Sequence, residues 1–174
     1  MKSGVDRNTA RSSRLIPALL DRMADHEPSR KTEGLSNRVM DKTQFRASVL
    51  RDLTWLLNTI NAESLIDFDA AERAQASALN YGVPPLSGQQ LAMDDWAQVE
   101  EMIATAITNF EPRILPDSLS VKVLPGDSSY ALHNQLAMEI KGQLWCEPYP
   151  LELLLRSQID LENGQIQITD APGK

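Results

Sequence analysis

The hydrophobic pattern divides the chain into a helical part and a later part with strand-like alternation. The clearest helical segment follows Asp41, whose carboxylate can cap free amides, with Gln44 in the capping-box position. Its apolar residues recur every three or four positions and predict a broad core-facing stripe: Phe45, Val49, Leu53, Leu56, Leu57 and Ile60. A second strong helix is predicted over Gln89–Phe110, ending at Pro112, with an apolar face that comprises Trp96, Val99, Ile103, Ile107 and Phe110.

A shorter, Ala-rich helix is predicted between these two, over Ala70–Leu79. It is followed by Gly82, which can take the left-handed position at a helix C-terminus. The pair Pro84-Pro85 then requires an extended loop.

After Pro116 the period changes from 3.6 to 2, which is typical of strands. Strands are predicted at Leu119–Val123, Leu132–Leu144, Leu151–Leu161 and Gln165–Thr169. The dipeptide Asn163-Gly164 predicts a two-residue hairpin between the last two. Because the helices precede the strands, we expect an α+β fold, with N-terminal helices packed on one face of a largely antiparallel C-terminal sheet.

Charge separates the first 42 residues from the rest. Residues 1–42 carry nine basic and six acidic side chains, a net of +3, whereas the remainder carries eight basic and eighteen acidic, a net of −10. We interpret residues 1–42 as a flexible N-terminal tail and residues 43–170 as a single α+β domain. Within the tail, Leu15, Ile16, Leu19, Leu20 and Met23 predict a short amphipathic helix over Arg14–Ala24 that docks on another surface.

Composition excludes several classes of function. The net charge of −7 argues against non-specific binding to nucleic acid, since phosphate neutralisation needs clustered cations. Cys146 is the single cysteine, and no metal-binding spacing accompanies it. Apolar runs such as Leu153-Leu154-Leu155 are too short to span a membrane, and no signal peptide is recognisable, so we expect a cytoplasmic protein without direct membrane insertion.

Candidate catalytic residues are sparse, and each has a more ordinary interpretation. His26 and His133 lack an evident nucleophile, and Cys146 is expected to be a buried or half-buried thiol. No Gly-rich phosphate loop surrounds Gly82 and Gly88. Carboxylate pairs suited to glycoside hydrolysis are available but are more typical of a solvated acidic surface: Glu63, Asp67, Asp69, Asp94 and Asp95. We expect no catalytic residue, cofactor or metal.

The tripeptide Glu111-Pro112-Arg113 is the most informative local feature. Pro112 ends the preceding helix and favours an extended Glu111, so that the two charged side chains flank a rigid corner. A carboxylate and a guanidinium fork placed in this way can pair with each other, with nearby backbone, or with a partner chain. We therefore take Glu111, Pro112 and Arg113 as candidate protein-interaction residues.

Four segments occur in an order that suggests a family. They are the tail segment Leu19-Leu20-Asp21-Arg22 with Asp25-His26-Glu27-Pro28, then Ser48–Leu53 with Leu56–Thr59, then Leu79–Pro84 with Leu86-Ser87-Gly88, and finally Phe110–Ile114. This set resembles the TssE family of type VI secretion baseplate subunits and, more distantly, the lysozyme-like wedge protein of contractile phage baseplates. The resemblance covers about residues 14–168.

The resemblance implies a non-enzymatic structural role in a cytoplasmic baseplate docked at the inner membrane. The implied partners are the wedge subunits TssF and TssG, with TssK as a further candidate, and the sheath subunits TssB and TssC. The implied fold is similar to the interlinking domain of contractile sheath subunits, and Glu111-Pro112-Arg113 matches the family signature implicated in assembly contacts. The sequence leaves two alternatives open, a lysozyme-like peptidoglycan hydrolase and an unrelated cytosolic adaptor.

The last hairpin suggests how such a protein could join an assembly. A sheet that ends in a hairpin, followed by the polar run Asp170–Lys174, leaves an edge that another chain can extend by strand addition. A protected edge is the equally weighted alternative. We therefore expect the hairpin around Asn163-Gly164 to be either the sheath-contacting edge or a closed one.

Overall fold

The computed structural model describes residues 15, 17–24, 28–29, 40–68, 71–87, 96–124 and 135–171 of the 174-residue chain. Within these ranges, four α-helices lie at α1 (Leu19–Met23), α2 (Lys42–Leu57), α3 (Glu72–Gln75) and α4 (Trp96–Phe110). Four strands follow, β1 (Ser120–Val123), β2 (Gln135–Leu144), β3 (Leu151–Asp160) and β4 (Ile166–Asp170). Short 3-10 helices occupy Ala62–Ser64, Ala78–Asn80 and Pro116–Ser118.

The strands form one antiparallel sheet in the order β1-β2-β3-β4. Side chains of β2 and β3 alternate between a buried and a polar face, as predicted, because successive strand residues point to opposite sides. Helix α2 contacts β4, and α4 contacts β1 and α2. The α+β prediction is confirmed, with helices that precede a four-stranded antiparallel sheet.

The core lies between α2, α4 and the inward face of the sheet. Its fully buried side chains come from both layers: Val49, Leu53, Leu56, Leu57, Ile103, Ile107, Met138, Ile140, Leu144, Leu153, Leu155 and Ile159. Burial of each large aliphatic side chain stabilises the fold by about 1.5–3 kcal/mol. The inward stripes predicted for both long helices supply most of the helical half of this core.

Helix α2 begins at the predicted position and ends earlier than predicted. The Asp41 carboxylate accepts from the Gln44 amide at 2.7 Å, and the Gln44 side chain accepts from the Asp41 amide at 3.0 Å, which completes the capping box. Ile60, expected on the buried stripe, is instead 65% exposed. The reason is that Ile60 lies past the helix and pairs in parallel with Val83.

The predicted helix over Ala70–Leu79 is wrong as one continuous element. The chain forms α3 and then the 3-10 helix Ala78–Asn80, because the Ser77 hydroxyl accepts from the Leu79 amide and starts a new turn. Gly82 does have a positive φ of 124°, but it does not end the helix. A side chain there would place its Cβ only 2.3 Å from the Thr59 carbonyl oxygen, so the close approach of two backbones requires glycine.

The helix predicted over Arg14–Ala24 is also shorter than expected. Leu15 belongs to the core and its carbonyl accepts from the Met40 amide at 2.9 Å. Helix α1 itself buries no residue, and Leu19, Leu20 and Met23 are 72%, 53% and 75% exposed. Its apolar residues therefore do not dock on the described part of this chain.

The β3–β4 hairpin forms with a longer connection than the predicted two residues. Asp160 pairs with Gln165, so four residues lie between them. The Asp160 carboxylate accepts from the Glu162 and Asn163 amides, which holds a wider turn ahead of Gly164, whose φ is 73°. The starts predicted at Gln89 and Leu132 for α4 and β2 lie outside the described residues.

Candidate protein-interaction site

The corner at Glu111-Pro112-Arg113 lies where α4 meets the end of β2. The Glu111 amide still donates to the Ile107 carbonyl at 2.8 Å, so helical bonding continues one residue past α4. The chain then runs beside β2, where the Trp145 amide donates to the Arg113 carbonyl at 2.8 Å and Ile114 pairs with Leu144. These backbone contacts fix the corner between the helical layer and the sheet.

Glu111 and Arg113 pair with each other, which is one of the three arrangements that the sequence left open. Arg113 Nε donates to Glu111 Oε1 at 2.6 Å, and Nη2 donates to Oε2 at 2.5 Å. The Arg113 amide donates to the same Oε1 at 3.2 Å. Glu111 is only 3% exposed, so its charge is compensated inside the fold rather than by water.

The pair continues into α2. Arg113 Nη2 also donates to Asp52 Oδ2 at 2.6 Å, and Nη1 donates to the Ser48 hydroxyl at 3.2 Å. Ser48 and Asp52 are four residues apart and therefore occupy the same face of the helix. One guanidinium thus joins the end of α4 to the middle of α2.

A second arginine extends this contact to α1. Arg51 Nε donates to Asp52 Oδ1 at 2.8 Å, and Arg51 Nη1 pairs with Asp21. The Arg51 guanidinium also lies over the Trp55 ring, 4.9 Å from its centroid. We call Asp21, Arg51, Asp52, Glu111 and Arg113 the charged cluster.

The electrostatics of the charged cluster favour full ionisation of its arginines and of Asp21. Burial alone would lower the pKa of Arg113, but the hydrogen bonds and charges of Glu111 and Asp52 raise it above its ordinary value. The hydrogen bond from Arg51 holds the Asp21 pKa below 3.8 despite partial desolvation. These five residues comprise three carboxylates and two guanidiniums, a formal net charge of −1 counted over the cluster alone.

Two carboxylates of the cluster also act on a neighbouring aromatic residue. The pKa of Tyr81 is raised first by burial and then by the charges of Asp52 and Glu111. The Tyr81 ring packs edge-on against Phe110 at 5.4 Å, next to the corner. Within the described part of the chain, Asp21 Oδ2 has no hydrogen-bond partner.

A second polar feature is the outer edge of β4. Ile159 and Ile166 form a non-hydrogen-bonded pair with β3, so the backbone groups of Ile166, Ile168 and Asp170 point away from the sheet. We call these outward backbone groups the β4 edge. A groove of about 830 Å³ runs along it, lined by the end of α2, the loop Val83–Ser87 and the hairpin Asn163–Ile168.

Side chains of α2 and of its C-cap residue Asn58 contact both ends of β4, at the Ile166 backbone and at the Asp170 side chain. The Asn58 side chain accepts from the Ile166 amide at 2.9 Å and donates to the Ile166 carbonyl at 2.8 Å. The Asp170 carboxylate binds Arg46 at 2.5 and 2.6 Å. Ile168 lies between them, and no hydrogen bond joins its backbone to another described residue.

Only some of the candidate catalytic residues lie in the described part of the chain. Cys146 is 5% exposed, which confirms a buried thiol, and Glu63 is hydrogen-bonded to Asn61 and Gln75. The candidates outside the described residues are His26, Asp69, Gly88, Asp94, Asp95 and His133. Among the residues that the structure describes there is no group suited to a metal ion and no helix able to cross a membrane.

Sequence reasoning missed the partners of the corner. Asp21, Arg51 and Asp52 belong to segments that carry the family resemblance, but the sequence predicts no contact for them. It also predicts no role for Asn58. The available signal was the four-residue spacing of Ser48 and Asp52 beside the apolar stripe of α2. That Glu111, Pro112 and Arg113 contact a partner chain stays a prediction.

Comparison with known proteins agrees with the resemblance. The model of the family described as baseplate wedge protein gp25 matches residues 43–149, more than half of the chain. This range includes Ser48, Asp52, Glu111 and Arg113 but neither Asp21 nor β4. No curated protein and no solved structure matched the chain. The chain belongs to the baseplate wedge family of gp25, in agreement with its TssE-like sequence.

Proposed function

We propose that this chain is a non-enzymatic subunit of a type VI secretion baseplate that joins the wedge proteins TssF and TssG and helps to nucleate the contractile sheath. The observation that carries the proposal is the family match, which includes Ser48, Asp52, Glu111 and Arg113. In this proposal the protein acts in the cytoplasm, in a baseplate docked at the inner membrane. TssK is a further wedge partner, and TssB and TssC are the sheath partners.

The charged cluster is proposed to position the surface that enters the wedge. Glu111 is buried and the Arg113 side chain is 21% exposed, so Arg113 is the member of the pair that a partner can reach. The formal net charge of −1 over the five residues of the charged cluster favours a partner that presents a lysine or an arginine. Loss of Arg113 would therefore disturb both the corner and its outer surface.

The β4 edge is proposed as the surface that binds a sheath subunit. Ile168 offers an outward amide and carbonyl, and a groove lies beside them. An extended strand from a partner can bind such an edge through main-chain hydrogen bonds. Because Ile166 is 2% exposed and belongs to the core, removal of the whole hairpin would damage the fold. A single substitution on the edge is therefore the sharper probe.

Co-purification with TssF and TssG from the same genome tests the wedge role. We expect the wild type and Arg46→Ala to enter the complex, and Arg113→Ala to be lost from it. Arg46 is the matched control, since it is also an α2-associated arginine paired with a carboxylate but lies at β4, away from the cluster. Absence of the wild type from the complex would contradict the wedge role.

A parallel assay separates the enzyme alternative. If the purified wild type cleaved peptidoglycan while failing to bind the wedge pair, the lysozyme-like interpretation would replace the structural one. A sheath-assembly assay with Ile168→Pro tests the second step. We expect that variant to enter the wedge complex and to fail in sheath nucleation, because its outward amide is removed.

A further inference from the structure

The Asn58 side chain forms the two hydrogen bonds with β4 that a residue of a neighbouring strand would form. In an antiparallel ladder, a hydrogen-bonded partner both donates to and accepts from the facing residue. The Asn58 side chain makes both of these bonds with Ile166, at 2.8 and 2.9 Å. A third bond, from Asn58 Nδ2 to the Thr54 carbonyl at 2.8 Å, holds the side chain against the end of α2. The first pairing position of the β4 edge is therefore already filled.

The opposite edge of the sheet is treated in a similar way. Glu100 of α4 accepts from the outward Val123 amide at 2.8 Å and pairs with Lys122 at 2.8 Å. A helix side chain thus occupies an outward backbone group on each edge strand. Helix side chains therefore bind outward backbone groups on both edges of the sheet, and the Asn58 contact is not an isolated case.

The β4 edge is self-complementary without Asn58. In an antiparallel pairing of two copies centred on Ile168, Ile168 would face Ile168 of the second copy, and Ile166 would face Asp170 on either side. All of these positions point outward in the observed ladder. With Asn58 in place, both flanking pairs lose their Ile166 partner and only the central Ile168 pair remains.

We propose that Asn58 prevents a second copy of this chain from pairing with the β4 edge. The Asn58 side chain leaves only the Ile168–Ile168 pair in this register, which is too short for stable pairing of two copies, whereas the outward backbone groups of Ile168 and Asp170 stay free. This inference depends on the ladder geometry of β4, which lies outside the residues matched by the family. It does not depend on the proposed baseplate role.

The test is the mass of the full chain in solution, measured by sedimentation over a range of concentrations at an ionic strength that screens the net charge of −7. We expect the wild type to stay monomeric and Asn58→Ala to approach twice the monomer mass. Asn58→Gly should behave in the same way, because it also removes the side chain that binds Ile166. A dimer of Asn58→Ala beside a monomeric Asn58→Gly would mean that the alanine side chain, and not the vacated backbone edge, makes the contact, and would overturn the proposal.

A second substitution locates the contact. Ile168→Pro in the Asn58→Ala background removes an outward amide that the β3–β4 ladder does not use, so it should return the protein to a monomer. A double variant that still dimerises would show that the contact lies elsewhere. Monomeric Asn58→Ala and Asn58→Gly, with wild-type circular dichroism, would also refute the proposal.

Amide hydrogen exchange gives a readout that does not require dimers. At concentrations where Asn58→Ala is monomeric, the Ile166 amide should exchange faster than in the wild type, whereas the Gln167 amide, which points toward β3, should be unchanged. Equal Ile166 exchange in both proteins would show that Asn58 does not close the edge.

Discussion

The charged cluster and the β4 edge both present polar groups near α2, but they differ in what surrounds those groups. Glu111 is 3% exposed and its carboxylate is fully occupied by Arg113, so that removal of either partner leaves a charge without water. The β4 edge consists of backbone groups next to an open groove, where water can replace a lost partner. Charge burial makes the first region sensitive to substitution, and access to water makes the second region tolerant.

The largest effect is expected at Arg113. Arg113→Ala leaves Glu111 buried and unpaired, which should lower the free energy of unfolding by about 3–5 kcal/mol. Urea denaturation followed by circular dichroism measures this loss. The matched variant Glu111→Leu/Arg113→Met removes both charges and should recover most of the stability. A loss below about 1 kcal/mol for Arg113→Ala would contradict the importance of charge burial.

A smaller loss of stability is expected at the end of the β4 edge that Asn58 occupies. Asn58→Ala removes two hydrogen bonds to Ile166, but water can reach the released backbone groups, so we expect a loss of about 1 kcal/mol. The same denaturation experiment, at a concentration where the variant is monomeric, measures it. A loss as large as that of Arg113→Ala would remove the distinction between the two regions.

The smallest change in stability is expected at the other end of the edge. Arg46 and Asp170 are partly exposed, with side chains 24% and 33% accessible, so water and salt screen their ion pair. Arg46→Ala should cost about 0.5–1 kcal/mol. Repeating the measurement in high salt should shrink the difference between this variant and the wild type, whereas the Arg113→Ala difference should persist. A salt-insensitive Arg46→Ala effect would contradict this interpretation.

Acid should release α1 before it disrupts the core. The Asp21 pKa is lowered by its hydrogen bond to Arg51, so the contribution of this pair is present above the ordinary value of 3.8 and is lost as pH falls through the lowered folded pKa. Fluorescence of the Trp55 side chain, which lies beneath Arg51, should change in that acidic range. The tryptophan-specific control is the same titration of Trp55→Phe.

Asp21→Asn provides the matched control for that titration. It removes the charge at neutral pH and should give the acid-type fluorescence without acidification. A fluorescence transition in the acidic range that is identical in wild type and Asp21→Asn would show that another group is responsible.

The fold could be predicted from the sequence where local pattern and packing agree. The stripes of α2 and α4 and the alternation of β2 and β3 each match the observed core, because periodicity reports which face is buried. Prediction failed at Ile60 and across Ala70–Leu79, where local side-chain hydrogen bonds and backbone pairing replaced the helix. The Ile60–Val83 pairing connects segments whose proximity a periodic pattern does not reveal. The Ser77–Leu79 hydrogen bond is local, but hydrophobic periodicity does not report it.

The candidate site was only half predictable for a similar reason. The Glu111–Arg113 pair spans two residues and was one of the arrangements that the proline corner allowed. The contacts of Arg113 with Asp52 and of Asn58 with Ile166 join residues 61 and 108 positions apart. Such partners depend on how the helices lie on the sheet, which composition and spacing do not specify.

The most direct test of the account is amide hydrogen exchange of the full chain, alone and in complex with TssF and TssG. We expect added protection in α1, α2 and the Glu111–Ile114 corner, and unchanged exchange at Ile168 on the β4 edge, which stays available for the sheath. Protection of Ile168 with no change at the corner would contradict the assignment of the two regions, and absence of a complex would contradict the wedge role itself.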